Sequence, residues 1–142
     1  MYLEIDTPTY KLYSTAQIGW ATLLGSPIAG SILLAKNYAR TGNESLGRAA
    51  IAYGTIATLI IFIAAFFLPE KVPNSVIPIA CVLTMRQLTM HFQGSMLAGH
   101  AVRGGSTAST WGATGIGLLC LACILLLIIA VVFLLPESAF NE

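Results

Sequence analysis

The sequence predicts an all-α, polytopic integral membrane protein of four transmembrane helices arranged as two tandem hairpins. Three observations predict it. Residues 116–135 form an unbroken run in which every residue is apolar, Gly or Cys, and about 20 such residues is what an α-helix needs to cross a bilayer. The whole chain is 56% hydrophobic and only 9% charged, against about 25% charged in ordinary soluble domains. Finally, short motifs recur in order. Phe66-Phe67-Leu68-Pro69-Glu70 returns as Phe133-Leu134-Leu135-Pro136-Glu137, and Pro27-Ile28-Ala29 returns as Pro78-Ile79-Ala80. Read this way, each hairpin is a proline-bearing helix followed by a plain helix stopped by Leu-Pro-Glu, a parallel repeat about the membrane normal.

At 142 residues the chain is expected to be a single membrane domain, residues 1–142. The first span is expected at about 16–35, between Tyr13-Ser14 and Lys36-Asn37-Tyr38. It carries two stripes of small residues at i,i+4 spacing, Ala21/Gly25/Ala29 and Thr22/Ser26/Gly30, which let another backbone approach closely. Gly25-Ser26-Pro27 lies within them, and Pro27 removes a backbone hydrogen bond, so a kink or break is expected there. One reading is a kinked packing helix. The other is a discontinuous helix whose freed carbonyls and hydroxyls line a path.

The second span is expected at about 49–68, closed by Pro69-Glu70-Lys71. Proline cannot continue the helix, and the glutamate then sits in water. The third, about 75–92, is apolar only as far as Met85; Arg86, Gln87 and His91 follow. Either this helix is short and Arg86 snorkels to the headgroups, or its polar face lines a cavity. The fourth is expected at about 112–135, closed by Pro136-Glu137.

Basic residues orient the spans. Lys36, Arg40, Arg48, Arg86 and Arg103 lie in or beside the connections 36–48 and 93–111, while Lys11 and Lys71 lie on the other side in a four-span arrangement. Both connections are therefore expected in the cytoplasm and both termini in the periplasm, the chain being a multi-pass protein of the cell inner membrane. The first six residues lack the basic and apolar regions of a signal peptide, so insertion is expected through the internal helices.

The charge balance, 7 basic against 6 acidic side chains, supplies no field for nucleic acid. No Asp or Glu lies inside a predicted span, which argues against a proton- or sodium-coupled carrier relying on an intramembrane carboxylate. Cys120-Leu121-Ala122-Cys123 forms a C-x-x-C, but it is deep in an apolar helix with only Cys81 besides; redox exchange needs an accessible thiolate. The three cysteines read as small buried hydrophobes. His91 and His100 have no nearby carboxylate to complete a metal site. No metal, cofactor or catalytic residue is expected.

Leu24-Gly25-Ser26-Pro27-Ile28-Ala29-Gly30 and Leu33-Leu34-Ala35-Lys36-Asn37-Tyr38 fall in the first helix. Gln93-Gly94, His100, Gly104-Gly105, Ser109, Trp111 and Gly115-Ile116-Gly117-Leu118 precede or open the last. Together these residues resemble the pattern of a group of small uncharacterised bacterial membrane proteins, with "LGGP-x-AG" in the first helix and "QG…H…GG…S-x-W" before the last. The resemblance implies a four-helix inner-membrane protein and carries over no functional residue. Ser26 stands where the pattern often has Gly.

The function expected from these features is that of an accessory, assembly or scaffold component acting through helix–helix contacts. Its partners would be membrane lipids and either further copies of itself or a larger membrane complex. The alternative is a small dimeric transporter or channel with a Pro-broken first helix and Arg86 lining the path. Gly25, Ser26, Pro27, Gly30, Arg86, Gln87, His91 and His100 are the candidate path or packing residues.

Overall fold

The computed structural model describes residues 6–134. Four α-helices follow one another: α1 (Thr15–Arg40), α2 (Glu44–Ala65), α3 (Val76–Val102) and α4 (Thr110–Leu134). Among the described residues there is no strand, only an isolated parallel bridge between Leu12 and Thr107. Three helices, α1, α2 and α4, are long and apolar enough to cross a membrane by length and composition.

α1 starts cleanly. The Ser14 hydroxyl accepts from the Gln17 N–H while the Gln17 side chain accepts from the Ser14 N–H, a reciprocal capping box. Ten residues later the helix breaks: Gly25 sits at φ −120°, ψ 23° and Ser26 at φ 65°, ψ 179°. Pro27 has no N–H to continue the ladder. The chain then doubles back. The Asn37 side chain bonds both the N–H and the C=O of Tyr13, although a straight helix would hold these residues about 36 Å apart. α1 is therefore a helical hairpin of two antiparallel arms, residues 15–24 and 27–40, about 15 and 21 Å long. A side chain at Gly30 would strike Thr22 Oγ1 and reach Ile18 Cγ2 at 3.5 Å, so glycine is what lets the arms close. The Thr22 hydroxyl is satisfied within its own arm, donating to the Ile18 carbonyl at 2.8 Å.

The other helices surround this hairpin. Each of α2, α3 and α4 packs on α1, and the backbones of these three stay apart from one another. α2 buries only Gly47, Gly54 and Thr58; Gly47 lies against Ala35, and Gly54 lies against Ser31 and Pro27. α4 buries Ala113, Gly117 and Cys120, with Gly117 against Ala21 and Leu24. α3 buries Met85, Thr89, Gln93 and His100. The core is correspondingly centred on α1, where Ile18, Ala21, Ala29 and Leu33 are wholly buried. Small residues at these crossings replace the large apolar interfaces of water-soluble bundles, because lipid offers no hydrophobic gain for packing helix on helix.

Several expectations are corrected. The first helix is not one straight span over 16–35, because Gly25-Ser26-Pro27 reverses it rather than kinking it. The tandem-hairpin arrangement is not evident: the backbones of α3 and α4 stay apart, and Pro78, unlike Pro27, occupies the first turn of its helix, where a missing N–H costs nothing. The third helix does not stop at about 92. It runs through Arg86, Gln87 and His91 to Val102, since nothing after His91 breaks a helix, so the connection expected at 93–111 shrinks to 103–109. The expected periplasmic placement of both termini falls on residues outside the described ones; their described neighbours lie at opposite ends of the bundle. Leu12 bonds Ser106 and Ala108, and the Arg40 guanidinium donates to the Lys11 carbonyl; residues 10–14 thus lie beside both connections, while α4 ends at the opposite pole. The second Leu-Pro-Glu stop, at 135–137, and the first five residues lie outside the described residues.

Candidate functional site

The reversal in α1 creates the most unusual chemistry in the chain. Pro27 cannot donate to the Leu23 carbonyl, and the Ile28 N–H, the natural partner of the Leu24 carbonyl, is taken by Thr58 Oγ1 at 3.1 Å. The Thr58 hydroxyl passes its own proton to the Gly54 carbonyl at 2.8 Å. Its oxygen lies 3.5 Å from Ser26 Oγ. The carbonyls of Leu23 and Leu24 thus lose their i+4 donors at the tip of the hairpin. Such a reversal survives in a membrane only where protein or water covers it.

Protein covers one side of the tip and a cavity opens on the other. On one side α4 seals the tip: a side chain at Gly25 would strike the Gly117 carbonyl and come within 2.9 Å of the Cys120 Cβ. On the other, a cavity of about 330 Å³ opens directly on Gly25, Ser26 and Pro27, walled by Thr58 and Phe62 of α2, Cys81 of α3 and Leu121 of α4. Its lining is mostly apolar, with the hydroxyls of Ser26 and Thr58 and the amide of Asn74 as polar points and no charged residue.

Ser26 is under strain. φ 65° with ψ 179° is a combination that belongs almost exclusively to glycine, and a non-glycine residue held there costs about 1–3 kcal/mol. Strain of this kind persists only where the surroundings over-determine it, and it clusters at ligand clamps and gates.

A second polar group ties the open end of the hairpin. Asn37, wholly buried, also donates to Gln93 Oε1 at 3.0 Å, and Gln93 Nε2 donates to the Leu34 carbonyl at 3.0 Å. Gln17 Nε2 donates to the Ala108 carbonyl at 2.7 Å and to Thr110 Oγ1 at 3.1 Å. His100 stacks on Tyr10 with centroids 5.1 Å apart, and its Nε2 lies 3.0 Å from the Ser106 carbonyl, while its buried Nδ1 has no partner. A carbonyl can only accept, so Nε2 carries the proton. These side chains close the end of the bundle and reach no cavity at the tip.

The candidate residues therefore part company. Gly25, Ser26 and Pro27 form the tip, and Gly30 lies between the arms. Arg86 lies elsewhere: its stem rests against Gly19, with Cγ and Cδ 3.1 and 3.2 Å from where a Cβ would stand. Arg86 does not line the tip cavity and makes no hydrogen bond or ion pair among the described residues. Gln87 and His91 are exposed on α3, His91 meeting only the edge of Phe92 at 4.9 Å. His100 belongs to the end closure. Thr58, Asn37, Gln17 and Gln93 were missed from the sequence; an amide inside an apolar helix, as at Gln93, was the available signal. Cys81, Cys120 and Cys123 are free thiols, and no metal-binding cluster occurs among the described residues.

A larger apolar groove of about 540 Å³ runs between α2 and α3 on the outer side of α1, lined by residues such as Tyr38, Tyr53, Met85 and Leu88. No family model matches the chain, and neither does any curated protein or solved structure.

Proposed function

We propose that the chain is a subunit of a small membrane transporter or channel, with α1 as a re-entrant hairpin and α2, α3 and α4 as the crossing helices. α3 is about 40 Å long, ample to cross despite Arg86. The arms of α1 reach only about half of a roughly 30 Å hydrocarbon layer, so the tip lies near mid-depth. One observation carries this reading: a strained helix break, short of backbone hydrogen bonds, opening into a cavity walled by α2, α3 and α4. A packing element has no need of such strain. The cavity has room for a small solute, and its hydroxyls, amide and freed carbonyls without any charge suit a neutral polar one. The tip is the barrier, and the path opens when it moves.

The ends fix the orientation in this reading. Lys11, Lys36, Arg40, Arg48 and Arg103 gather at the end shared by residues 10–14 and the connections, against Lys71 at the other. By the positive-inside rule the first of these ends is cytoplasmic and the tip cavity opens outward. A bacterial inner membrane is the setting that the resemblance implies.

The second reading, an accessory or scaffold component working through helix–helix contacts, is favoured by the unpaired outer faces of α2, α3 and α4. Reconstituting the full chain in liposomes separates the two. Stopped-flow light scattering with urea or glycerol should show permeation well above protein-free vesicles, falling at least tenfold in Ser26→Leu at equal incorporation. Wild-type vesicles no leakier than empty ones would leave the scaffold reading standing.

A further inference from the structure

The face of α3 turned away from α1 carries a second pattern. Ala80, Thr84, Gln87, His91, Gly94 and Ala98 follow one another at gaps of four, three, four, three and four residues. That is a heptad seam, the spacing that keeps one stripe of a helix against a partner in a left-handed supercoil. It lies roughly opposite the buried stripe of Met85, Thr89 and Gln93. Among the described residues, nothing covers it. Five of the six residues are exposed, and a Cβ added at Gly94 would meet no atom within 4 Å. The seam is about 27 Å long, nearly the depth of the hydrocarbon layer.

Lipid is a poor occupant for such a face. Acyl chains offer no partner to the Gln87 amide or the His91 ring, and unsatisfied polar groups in hydrocarbon are costly. The other outer faces differ: α4 presents Leu118, Leu125, Leu126 and Ile129, and α2 presents Ile56, Leu59, Ile60 and Ile63. Of α2, α3 and α4, only α3 exposes an amide and an imidazole, and it does so at a spacing that suits a helical partner.

We infer that α3 pairs with α3 of a second copy of this chain, in parallel, about a two-fold axis along the membrane normal. The occupant follows from the chemistry of the seam. Copies inserted the same way bring identical residues together at an isologous contact. Every polar residue of the seam is self-complementary: the Thr84 hydroxyl, the Gln87 carboxamide and a neutral His91 imidazole each hold both a donor and an acceptor. Gln87 therefore meets Gln87 of the other copy in a reciprocal amide pair, with His91 one turn away. Ala80, Gly94 and Ala98 let the two backbones approach. No charge lies on the seam, so the copies do not repel there. This pairing goes beyond the transport reading and stands without it.

Cysteine scanning in native membranes tests it. In the full-length chain carrying Cys81→Ala, Cys120→Ala and Cys123→Ala, single cysteines replace positions 80 to 98 in turn. Mild oxidation should cross-link the chain to itself most strongly at 80, 84, 87, 91, 94 and 98, several-fold above Leu83 and Leu88 on the flanks. Gly94→Leu should cut the cross-link at position 87 at least tenfold, with insertion checked by expression in the membrane fraction. A flat profile, a maximum on α2 or α4, or cross-links only to a different protein would each overturn the inference.

Discussion

One amide, that of Asn37, satisfies both backbone groups of Tyr13: Oδ1 accepts from the N–H at 2.8 Å and Nδ2 donates to the carbonyl at 2.9 Å. In doing so it imitates a strand partner and fastens the entry of the first arm of α1 to the end of the second. The same Nδ2 donates to Gln93, so the clasp also holds α3. A hairpin that buries its own polar backbone needs such closure at its open end, just as it needs Thr58 at its tip.

Replacing Asn37 should therefore loosen the hairpin rather than merely remove a contact. Asn37→Leu leaves the Tyr13 N–H, the Tyr13 carbonyl and Gln93 Oε1 unpaired in a buried site, where each orphan costs about 1–3 kcal/mol. Asn37→Asp keeps the acceptor but loses both donated bonds, and should fall between wild type and Asn37→Leu. Thermal unfolding in detergent, followed by tryptophan fluorescence or far-UV circular dichroism, should rank the three in that order.

Ser26 offers the opposite sign. Its φ of 65° and ψ of 179° suit glycine. Ser26→Gly gives up only a 3.5 Å approach to Thr58 Oγ1 and releases the strain, so the chain should gain about 1 kcal/mol. Ser26→Ala keeps the strain and should show no such gain. Ser26→Val, with a branched Cβ at positive φ, should be the least stable of the series. Melting temperatures in one detergent compare all four.

Glycine should be indispensable at the α1–α2 crossing and replaceable on the open face of α4. A methyl at Gly54 would land on the Ser31 side chain, whereas one at Gly115 meets nothing. Gly54→Ala must push the helices apart and pull Thr58 from the Ile28 N–H; a loss of about 2–3 kcal/mol is expected, in the range of overpacked cores. Gly115→Ala should be neutral or slightly stabilising, since alanine favours helix by about 1 kcal/mol over glycine. Proteolysis of the detergent-solubilised variants provides a second readout.

The parts of the fold visible in the sequence were those that a local pattern can express. Apolar length gave the helices, and Gly25-Ser26-Pro27 marked a break. What the pattern could not express was the angle of the break. Whether a Gly-Ser-Pro kinks or reverses a helix depends on distant partners, on Asn37 meeting Tyr13 and on Gly30 admitting Thr22, and residues 16–35 read as an ordinary span in either case. Counting α1 as one crossing likewise set Lys11 apart from the connections, to which Leu12 and Arg40 join it. α3 was cut short for a related reason: Arg86, Gln87 and His91 look like the edge of a membrane when a helix is judged one residue at a time. The tip cavity rests on Thr58, an unremarkable threonine in an apolar helix, and no local signal distinguishes it.

Topology gives the sharpest remaining consequence. If α1 entered and crossed, residues near Lys11 would lie across the membrane from Gly42 and Gly104; in a re-entrant hairpin all three lie together. The described structure joins them through Leu12, Ser106, Ala108, Arg40 and Lys11. In the cysteine-free chain, single cysteines at Lys11, Gly42 and Gly104 should react alike with a membrane-impermeant maleimide, and a cysteine at Lys71 should react in the opposite sense. With the basic cluster cytoplasmic, intact cells should label Lys71→Cys alone, and the other three should label only after the membrane is opened. Labelling of Lys11→Cys together with Lys71→Cys from outside would mean that α1 crosses, and the re-entrant hairpin would have to be abandoned.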